Sequence, residues 1–230
     1  MTGAESITIL LLLAWGTVAG VDLVSLPQAM LSRPLVAAAV AGALLGDVGA
    51  GLRVGAVLEL FALDVLPVGA VRYPDYGAAA VGATAVAAGS PWELGLGVAV
   101  GIGLLVSAVG GWSLLALRRL NADAVGRRAA ALRSGEPAVI RRLHLAAIGR
   151  DAARSLLLAA FALGSAAVTL RWVRLDRETA AALTIAAIGA GAASALGGAA
   201  RGAGSGRRRH WLAAGGVAGT AIGLLVWGLR

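Results

Sequence analysis

Residues 52–75 read LRVGAVLELFALDVLPVGAVRYPD, an apolar run interrupted by carboxylates, prolines and glycines. Glu59 stands in the middle of the apolar part, and Asp64 and Asp75 stand at its breaks. A carboxylate at the centre of a membrane helix costs about 2.5–3.5 kcal/mol on insertion scales, so it is expected to face protein or water. Broken backbone at membrane depth is tolerated only where it is buried in protein or lines a polar cavity. The stretch therefore predicts broken helices around a functional site.

The wider region 34–91 has the same broken character. Its apolar stretches are interrupted at Gly46-Asp47, at 64–67 and at 73–75, and four of the six prolines lie in it, with Pro27 just before it. Proline removes a backbone donor and disfavours helix at the preceding residue. Segments interrupted in this way are the best sequence indication of a transport site.

Composition supports a membrane protein, because 59% of the 230 residues are hydrophobic and only 14% are charged. A spanning helix needs about 20 apolar residues. The candidate spans are Ile7–Ser25, Leu94–Leu117, the shorter Ser155–Leu170, Thr179–Ala200 and Trp211–Leu229. The first lacks the basic start and cleavage site of a signal peptide, so we expect it to remain as a helix. The fold prediction is an all-α, polytopic helical membrane protein, with 1–230 as a single domain and broken or re-entrant helices in its N-terminal half.

The charges are distributed unevenly along the chain. Residues 118–154 contain nine arginines and three acids, and they are typical of a basic helix-turn-helix that breaks at 134–137. Arginine clusters between apolar spans mark the cytoplasmic face, so we expect 118–154 to be a cytoplasmic loop. Nucleic-acid binding would need those clusters on a soluble module, and the sequence offers none.

Ordinary enzyme chemistry has little material in this chain. There is no cysteine, and the two histidines, His144 and His210, have no second ligand at metal spacing. We therefore predict no catalytic residues, no metal site and no cofactor. His144 is interpreted as an interfacial residue of the basic segment.

The broken region offers side chains that suit a polyol. Glu59, Asp64 and Asp75 supply carboxylates, Gln28 an amide and Tyr73 a phenol. Carboxylates accept two hydroxyl groups at once, and an aromatic face covers the apolar edge of a sugar ring. Plainer alternatives stay open: Glu59 paired with Arg53 or Arg72, Tyr73 as an interfacial anchor, Arg33 snorkelling to the interface and Asp47 as a cap.

Several motifs in this region follow one another in a recognisable order. They are Arg33-Pro34-Leu35-Val36-Ala37, Gly42-Ala-Leu-Leu-Gly46-Asp47, Gly51-x-x-x-Gly55-x-x-x-Glu59-Leu60, Pro67-Val-Gly-Ala70 and Pro74-Asp75. Their order and spacing resemble the membrane subunit IIC of the mannose/sorbose-family phosphotransferase systems. The resemblance continues more loosely through Asn121–Leu145.

The resemblance implies a permease subunit in a bacterial inner membrane that binds a hexose-like sugar and moves it inward for phosphorylation. It implies a IID membrane subunit, IIA and IIB phosphocarriers that carry the phosphoryl group, and an oligomeric assembly in the lipid bilayer. By motif position, Glu59 and Asp75 are the sugar-contacting candidates, with Gln28 nearby. It also implies broken helices that move as a block against a scaffold.

Two other functions are compatible with the residues. A regulatory scaffold of an incomplete phosphotransferase system would use the basic segment to sense its phosphocarriers and would transport nothing. An unrelated ion-coupled transporter would use Glu59 as a proton or cation site.

Overall fold

The computed structural model describes residues 3–64, 73–90 and 92–202. These residues form eight helices and no strand. The helices are α1 (Gly3–Asp22), α2 (Pro34–Leu45), α3 (Val48–Ala62), α4 (Tyr76–Ala88), α5 (Trp92–Gly126), α6 (Ala129–Arg133), α7 (Pro137–Trp172) and α8 (Arg177–Gly202). The all-α prediction is confirmed. The predicted span Trp211–Leu229, His210, Arg72 and the Pro67–Ala70 motif lie outside the described residues.

Four of these helices, α1, α5, α7 and α8, are long and apolar enough to cross a membrane. They contain four of the predicted spans, and α5 and α7 continue well beyond them, to 35 and 36 residues. The predicted span Ser155–Leu170 was too short because its arginine-rich flank is part of the same helix. The lengths of α5 and α7 exceed those of the predicted spans, because both helices continue into arginine-rich sequence.

The described residues of the broken region form three short helices, α2, α3 and α4, and the predicted breaks at Gly46-Asp47, Asp64 and 73–75 lie between them. At about 1.5 Å per residue, the 12 residues of α2 and the 15 of α3 fall short of a hydrocarbon core of about 30 Å. Gly46 reverses the chain between them in the left-handed conformation, with φ +78°. Asp47 caps α3 by accepting a hydrogen bond from the Ala50 N–H at 2.8 Å, which confirms its predicted role.

Helices α2 and α3 pack as a hairpin through glycines. A Cβ atom on Gly42 would lie 2.5 Å from the Asp47 carbonyl oxygen, and one on Gly55 would lie 2.9 Å from the Leu35 Cα. Only a residue without a side chain allows this approach, which is how membrane helices come into backbone contact. The hairpin brings the end of α3 beside the start of α2.

Helix α4 is the centre of the structure. It packs against α1, α2, α3, α5 and α7, and most of its alanines and glycines are buried. Its small side chains leave room for helices on every side. The long helices therefore surround a short, buried helix whose first turn faces the end of α1.

The basic segment 118–154 is helical over most of its length. The chain turns at 134–136, where Gly135 has φ +73°, and Pro137 begins α7. Glycine suits the left-handed conformation and proline suits the first turn of a helix. The predicted helix-turn-helix and its break are confirmed.

Candidate functional site

A cavity of about 520 Å³ lies where α1 ends and where α2 and α4 begin. Its lining combines polar groups with two tyrosine rings. The lining residues are Asp22, Leu23, Gln28, Met30, Ser32, Arg33, Pro34, Ala62, Tyr73, Pro74 and Tyr76. We call this space the first cavity.

The connection between α1 and α2 forms one wall of the first cavity, and Asp22 holds it in place. Buried Asp22 accepts hydrogen bonds from the backbone N–H groups of Ala29 at 2.6 Å and Ser32 at 2.9 Å. Gln28 and Met30 adopt φ values of +59° and +63°, which are costly for residues with side chains. Such strain persists only where the surroundings enforce it, and it concentrates at functional sites.

Arg33 enters the first cavity from the start of α2, and Glu59 of α3 orients it. The guanidinium group of Arg33 forms an ion pair with the Glu59 carboxylate. Glu59 also accepts a hydrogen bond from the Leu35 backbone N–H at 3.2 Å. Glu59 is not among the residues that line the first cavity, so its carboxylate contacts the cavity through Arg33. The guanidinium has five N–H donors, so this pair leaves donors for other partners.

Tyr73 and Tyr76 supply the aromatic part of the lining of the first cavity. Tyr73 is buried, and the guanidinium of Arg118 lies 5.1 Å from the centre of its ring. This is a cation–π contact, which fixes the plane of the ring. The first cavity therefore combines the amide of Gln28, the hydroxyl of Ser32 and the guanidinium group of Arg33 with two aromatic rings.

Asp75 points away from the first cavity into a buried charge cluster, which we define as Asp75, Asp151 and Arg154. Arg154 Nη1 donates to Asp75 at 2.8 Å, and Arg154 Nε donates to Asp151 at 3.0 Å. The same guanidinium donates to the Gly20 carbonyl oxygen at 3.3 Å and to the Ser155 hydroxyl at 3.1 Å. Asp75 also accepts from the Gly77 N–H, which makes it the cap of α4.

The family of the chain follows from its sequence, with this geometry in place. Residues 6–199 match the family described as PTS system sorbose-specific iic component. The chain belongs to this family. With four long apolar helices among its described residues, the chain is a multi-pass membrane protein.

Individual relatives agree with the family. A fructose permease IIC component of Bacillus subtilis is 30% identical over 153 residues, which is 66% of this chain and 56% of the relative. The match therefore spans little more than half of that protein.

Two solved structures share the fold of this IIC chain. One, described as a membrane protein, has a TM-score of 0.76 at 21% identity, covering 100% of this chain and 97% of its own. The other, a cryo-EM structure of the mannose transporter ManYZ with microcin E492, has a TM-score of 0.59 at 22% identity, covering 98% and 96%.

The IIC structure brings together some of the predicted site residues and separates others. Gln28 and Tyr73 line the first cavity, and Glu59 contacts it through Arg33. Asp75 lies in the charge cluster. Asp64 follows α3 and packs beside α8, where a Cβ on Gly198 would lie 2.7 Å from the Asp64 Cα. Their roles in sugar binding stay predictions.

Sequence reasoning missed the partners more than the site. Glu59 is paired, as one alternative held, but its partner is Arg33, for which snorkelling to the interface was an open alternative. Arg154 was hidden among the other arginines of the basic segment. One signal was present: Asp151 and Arg154 are three residues apart just before the apolar run, so both lie on one face of α7.

The described residues offer no place for a metal ion, because no three His, Asp or Glu side chains cluster in them.

Proposed function

We propose that this chain is the sugar-specific permease subunit IIC of a mannose-type phosphotransferase system and that it binds a hexose-like sugar in the first cavity. The observation that carries the proposal is the pairing of polar donors and acceptors with tyrosine rings in a cavity of about 520 Å³. Ligand pockets typically measure about 300–1,000 Å³ and combine apolar walls with a few placed polar groups. Family membership supplies the substrate class.

In this proposal each residue has a stated role. Gln28 and Ser32 hydrogen-bond to sugar hydroxyls, Arg33 donates to ring or hydroxyl oxygens, and Tyr73 covers the apolar edge of the ring. Glu59 positions Arg33, and Asp75 holds the start of α4 in place. Asp64 does not line the first cavity, so it contacts the sugar only if the end of α3 moves toward the cavity when sugar binds.

The same proposal fixes the surroundings. The chain resides in a bacterial inner membrane with 118–154 on the cytoplasmic side, because arginine-rich segments stay there. It pairs with a IID subunit, and IIA and IIB carry the phosphoryl group, so this chain itself is not an enzyme. The mannose transporter among the solved structures supports the IID partner.

Sugar binding to the full-length chain in lipid nanodiscs, with and without a IID subunit, tests the proposal. Isothermal titration with mannose, fructose and sorbose measures the affinity. Gln28→Ala and Tyr73→Leu should each weaken binding about tenfold, since each removes a direct contact. Thr8→Ala is the control. Thr8 lies near the start of α1, outside the cavity lining, and its hydroxyl donates to the Ala4 carbonyl oxygen, so this variant should not change the sugar affinity.

The alternatives give different results. A regulatory scaffold would bind none of the sugars under any condition. An ion-coupled transporter would bind sugar with an affinity that depends on the concentration of its coupling cation, whereas the proposed permease subunit would not. The ion pair of Glu59 with Arg33 supports the sugar reading, because a guanidinium already neutralises the carboxylate that a cation would need.

A further inference from the structure

A second cavity of about 300 Å³ lies beside the first, where α5 and α7 extend past their apolar parts. Its polar lining consists of Ser25, Arg118, Asn121 and His144, and its apolar lining includes Leu114, Leu117 and Ile148. Arg118 and Asn121 are three residues apart on one face of α5. His144 and Ile148 are four apart on the facing side of α7. The two long helices thus build the cavity together.

The polar lining of the second cavity is rich in donors. Arg150 Nη1 donates to the Asn121 side-chain oxygen at 2.9 Å, so the Asn121 amide nitrogen is the part of that group that can serve a ligand. Arg118 contributes guanidinium donors and His144 an imidazole. Among the described residues, no carboxylate lines this cavity. A lining with a fixed cation and several N–H donors favours an anionic ligand.

The carboxylate of Asp151 contacts Ser25, which lines the second cavity, and it is already occupied. It accepts from Ser25 Oγ at 2.5 Å and from Arg154 Nε at 3.0 Å, and it is 1% exposed. The buried charge cluster carries one net negative charge, because Arg154 is bonded to two aspartates. At the second cavity the guanidinium groups of Arg118, in the lining, and of Arg150, bonded to Asn121, outnumber that charge. Ser25 is likewise committed to Asp151 and closes the floor of the cavity.

We propose that the second cavity binds a phosphate group, held by Arg118, Asn121 and His144. Phosphate oxygens accept several N–H donors at once, and arginine guanidinium matches their geometry. The phosphate is either that of a soluble phosphorylated compound or that of an anionic lipid headgroup. This binding goes beyond the sugar site and does not require it, since a neutral sugar carries no charge for Arg118 to recognise.

The two cavities share a wall. Tyr73, Leu114 and Leu117 form an apolar cluster with Leu23 and Val24 against it. Arg118 lies over the Tyr73 ring on one side of that wall and lines the second cavity on the other. A phosphate that draws the guanidinium toward itself therefore loosens its contact with Tyr73. Occupation of the second cavity should change how firmly the Tyr73 ring is held.

Two titrations of the full-length chain test this proposal. Nanodiscs made only of phosphatidylcholine are titrated with inorganic phosphate at constant ionic strength, and a parallel series contains increasing phosphatidylglycerol. The midpoint of thermal unfolding is the common readout, because a ligand that binds the folded state raises it. An increase with inorganic phosphate identifies a soluble ligand, and an increase with phosphatidylglycerol alone identifies a lipid headgroup. Either supports the site.

Matched variants locate the effect. Arg118→Gln should weaken the apparent affinity about tenfold, and His144→Gln about threefold, because each removes one contact to the anion. Arg119→Gln and Arg142→Gln, exposed neighbours outside the lining, should change it less than about twofold. His144 is exposed, so its variant keeps the proposal testable if Arg118→Gln does not fold.

Two results would overturn the proposal. One is an unchanged unfolding midpoint with both probes, and the other is equal weakening by the lining variants and their controls. Sugar binding measured on His144→Gln separates this failure from failure of the proposed function. That variant should keep its sugar affinity whether or not it binds phosphate.

Discussion

Two carboxylate–guanidinium pairs in this chain have the same chemistry and opposite surroundings. In the buried charge cluster, Arg154 is 8% exposed and Asp75 is fully buried. At the first cavity, Arg33 is 37% exposed and Glu59 is 18% exposed. Arg154 donates its N–H groups to α1, to α7 and to the cap of α4. Arg33 lines a cavity and has more N–H donors than its pair with Glu59 uses.

The difference separates a structural ion pair from one that is available to a ligand. Arg154 donates hydrogen bonds from its Nε, Nη1 and Nη2 atoms, so it has few N–H donors left for another partner. Arg33 is held by one carboxylate and lines a cavity. A carboxylate in an apolar sequence therefore indicates an important ion pair. Whether that pair is structural or can bind a ligand depends on how many N–H donors the partner arginine has left.

Removal of Arg154 should have the largest effect. Arg154→Met leaves two buried carboxylates without their counter-charge, which costs about 3–5 kcal/mol of unfolding free energy. Denaturant titration in detergent micelles measures the loss. Arg150→Met, which removes a half-buried arginine bonded to Asn121, is the control and should cost much less. Equal losses would show that Arg154 is no more structural than its neighbour.

Tight packing around α4 should give the next largest effect. A Cβ on Gly82 would lie 2.7 Å from the Ala162 Cβ and 2.8 Å from the Ala162 oxygen of α7. Gly82→Ala should lower the unfolding free energy by about 1–3 kcal/mol through overpacking. Gly101→Ala, with nothing within 4 Å, should be neutral or stabilise by about 0.5–1 kcal/mol. A neutral Gly82→Ala would mean that the core around α4 is loose.

The pair at the first cavity should affect binding more than stability. Glu59→Gln frees Arg33 from its fixed direction, so sugar affinity should fall about tenfold with little change in unfolding. In a double-mutant cycle with Arg33→Gln, the two losses should not add, because both act through one guanidinium group. Additive losses would give Glu59 a contact of its own. Asp47→Asn, at the far end of α3, is the control.

An exposed carboxylate should have the smallest effect. The backbone N–H and hydroxyl group of Thr179 donate to Asp176 at 2.8 and 2.9 Å, and these bonds hold the pKa of Asp176 below its ordinary value. Its stabilisation of α8 is therefore present above the ordinary pKa of about 3.9 and is lost as pH falls through the lowered pKa.

Asp176→Asn tests that sign. Thermal unfolding of the variant should differ from wild type at neutral pH, and the difference should shrink once the pH is below both pKa values. A difference that grows in acid would reverse the argument. Thr179→Val, which removes only the hydroxyl, should reproduce part of the effect.

Much of the fold could be predicted from local pattern. The spans in α1, α5, α7 and α8, the three short helices and the break at 134–137 follow from apolar length and from glycine and proline. What could not be predicted is that the spans in α5 and α7 continue without a break into the basic helices, because arginine is a good helix former and charge does not end a helix.

The candidate site was predictable in composition but not in arrangement. Gln28 and Tyr73 were selected for their chemistry and line the first cavity. Asp75 was selected on the same grounds and instead caps α4 beside Arg154, 79 residues away. Hydrogen-bonding capacity is a property of a residue, whereas direction is a property of the helices that meet at it.

By itself, the sequence determined that this chain lies in a membrane, where it breaks and which family it belongs to, because apolar length and backbone chemistry act over short stretches. The tertiary structure decided which arginine meets which carboxylate. That choice depends on which helices α4 brings together, and the resulting burial made Arg154 a structural centre and left Arg33 facing a cavity.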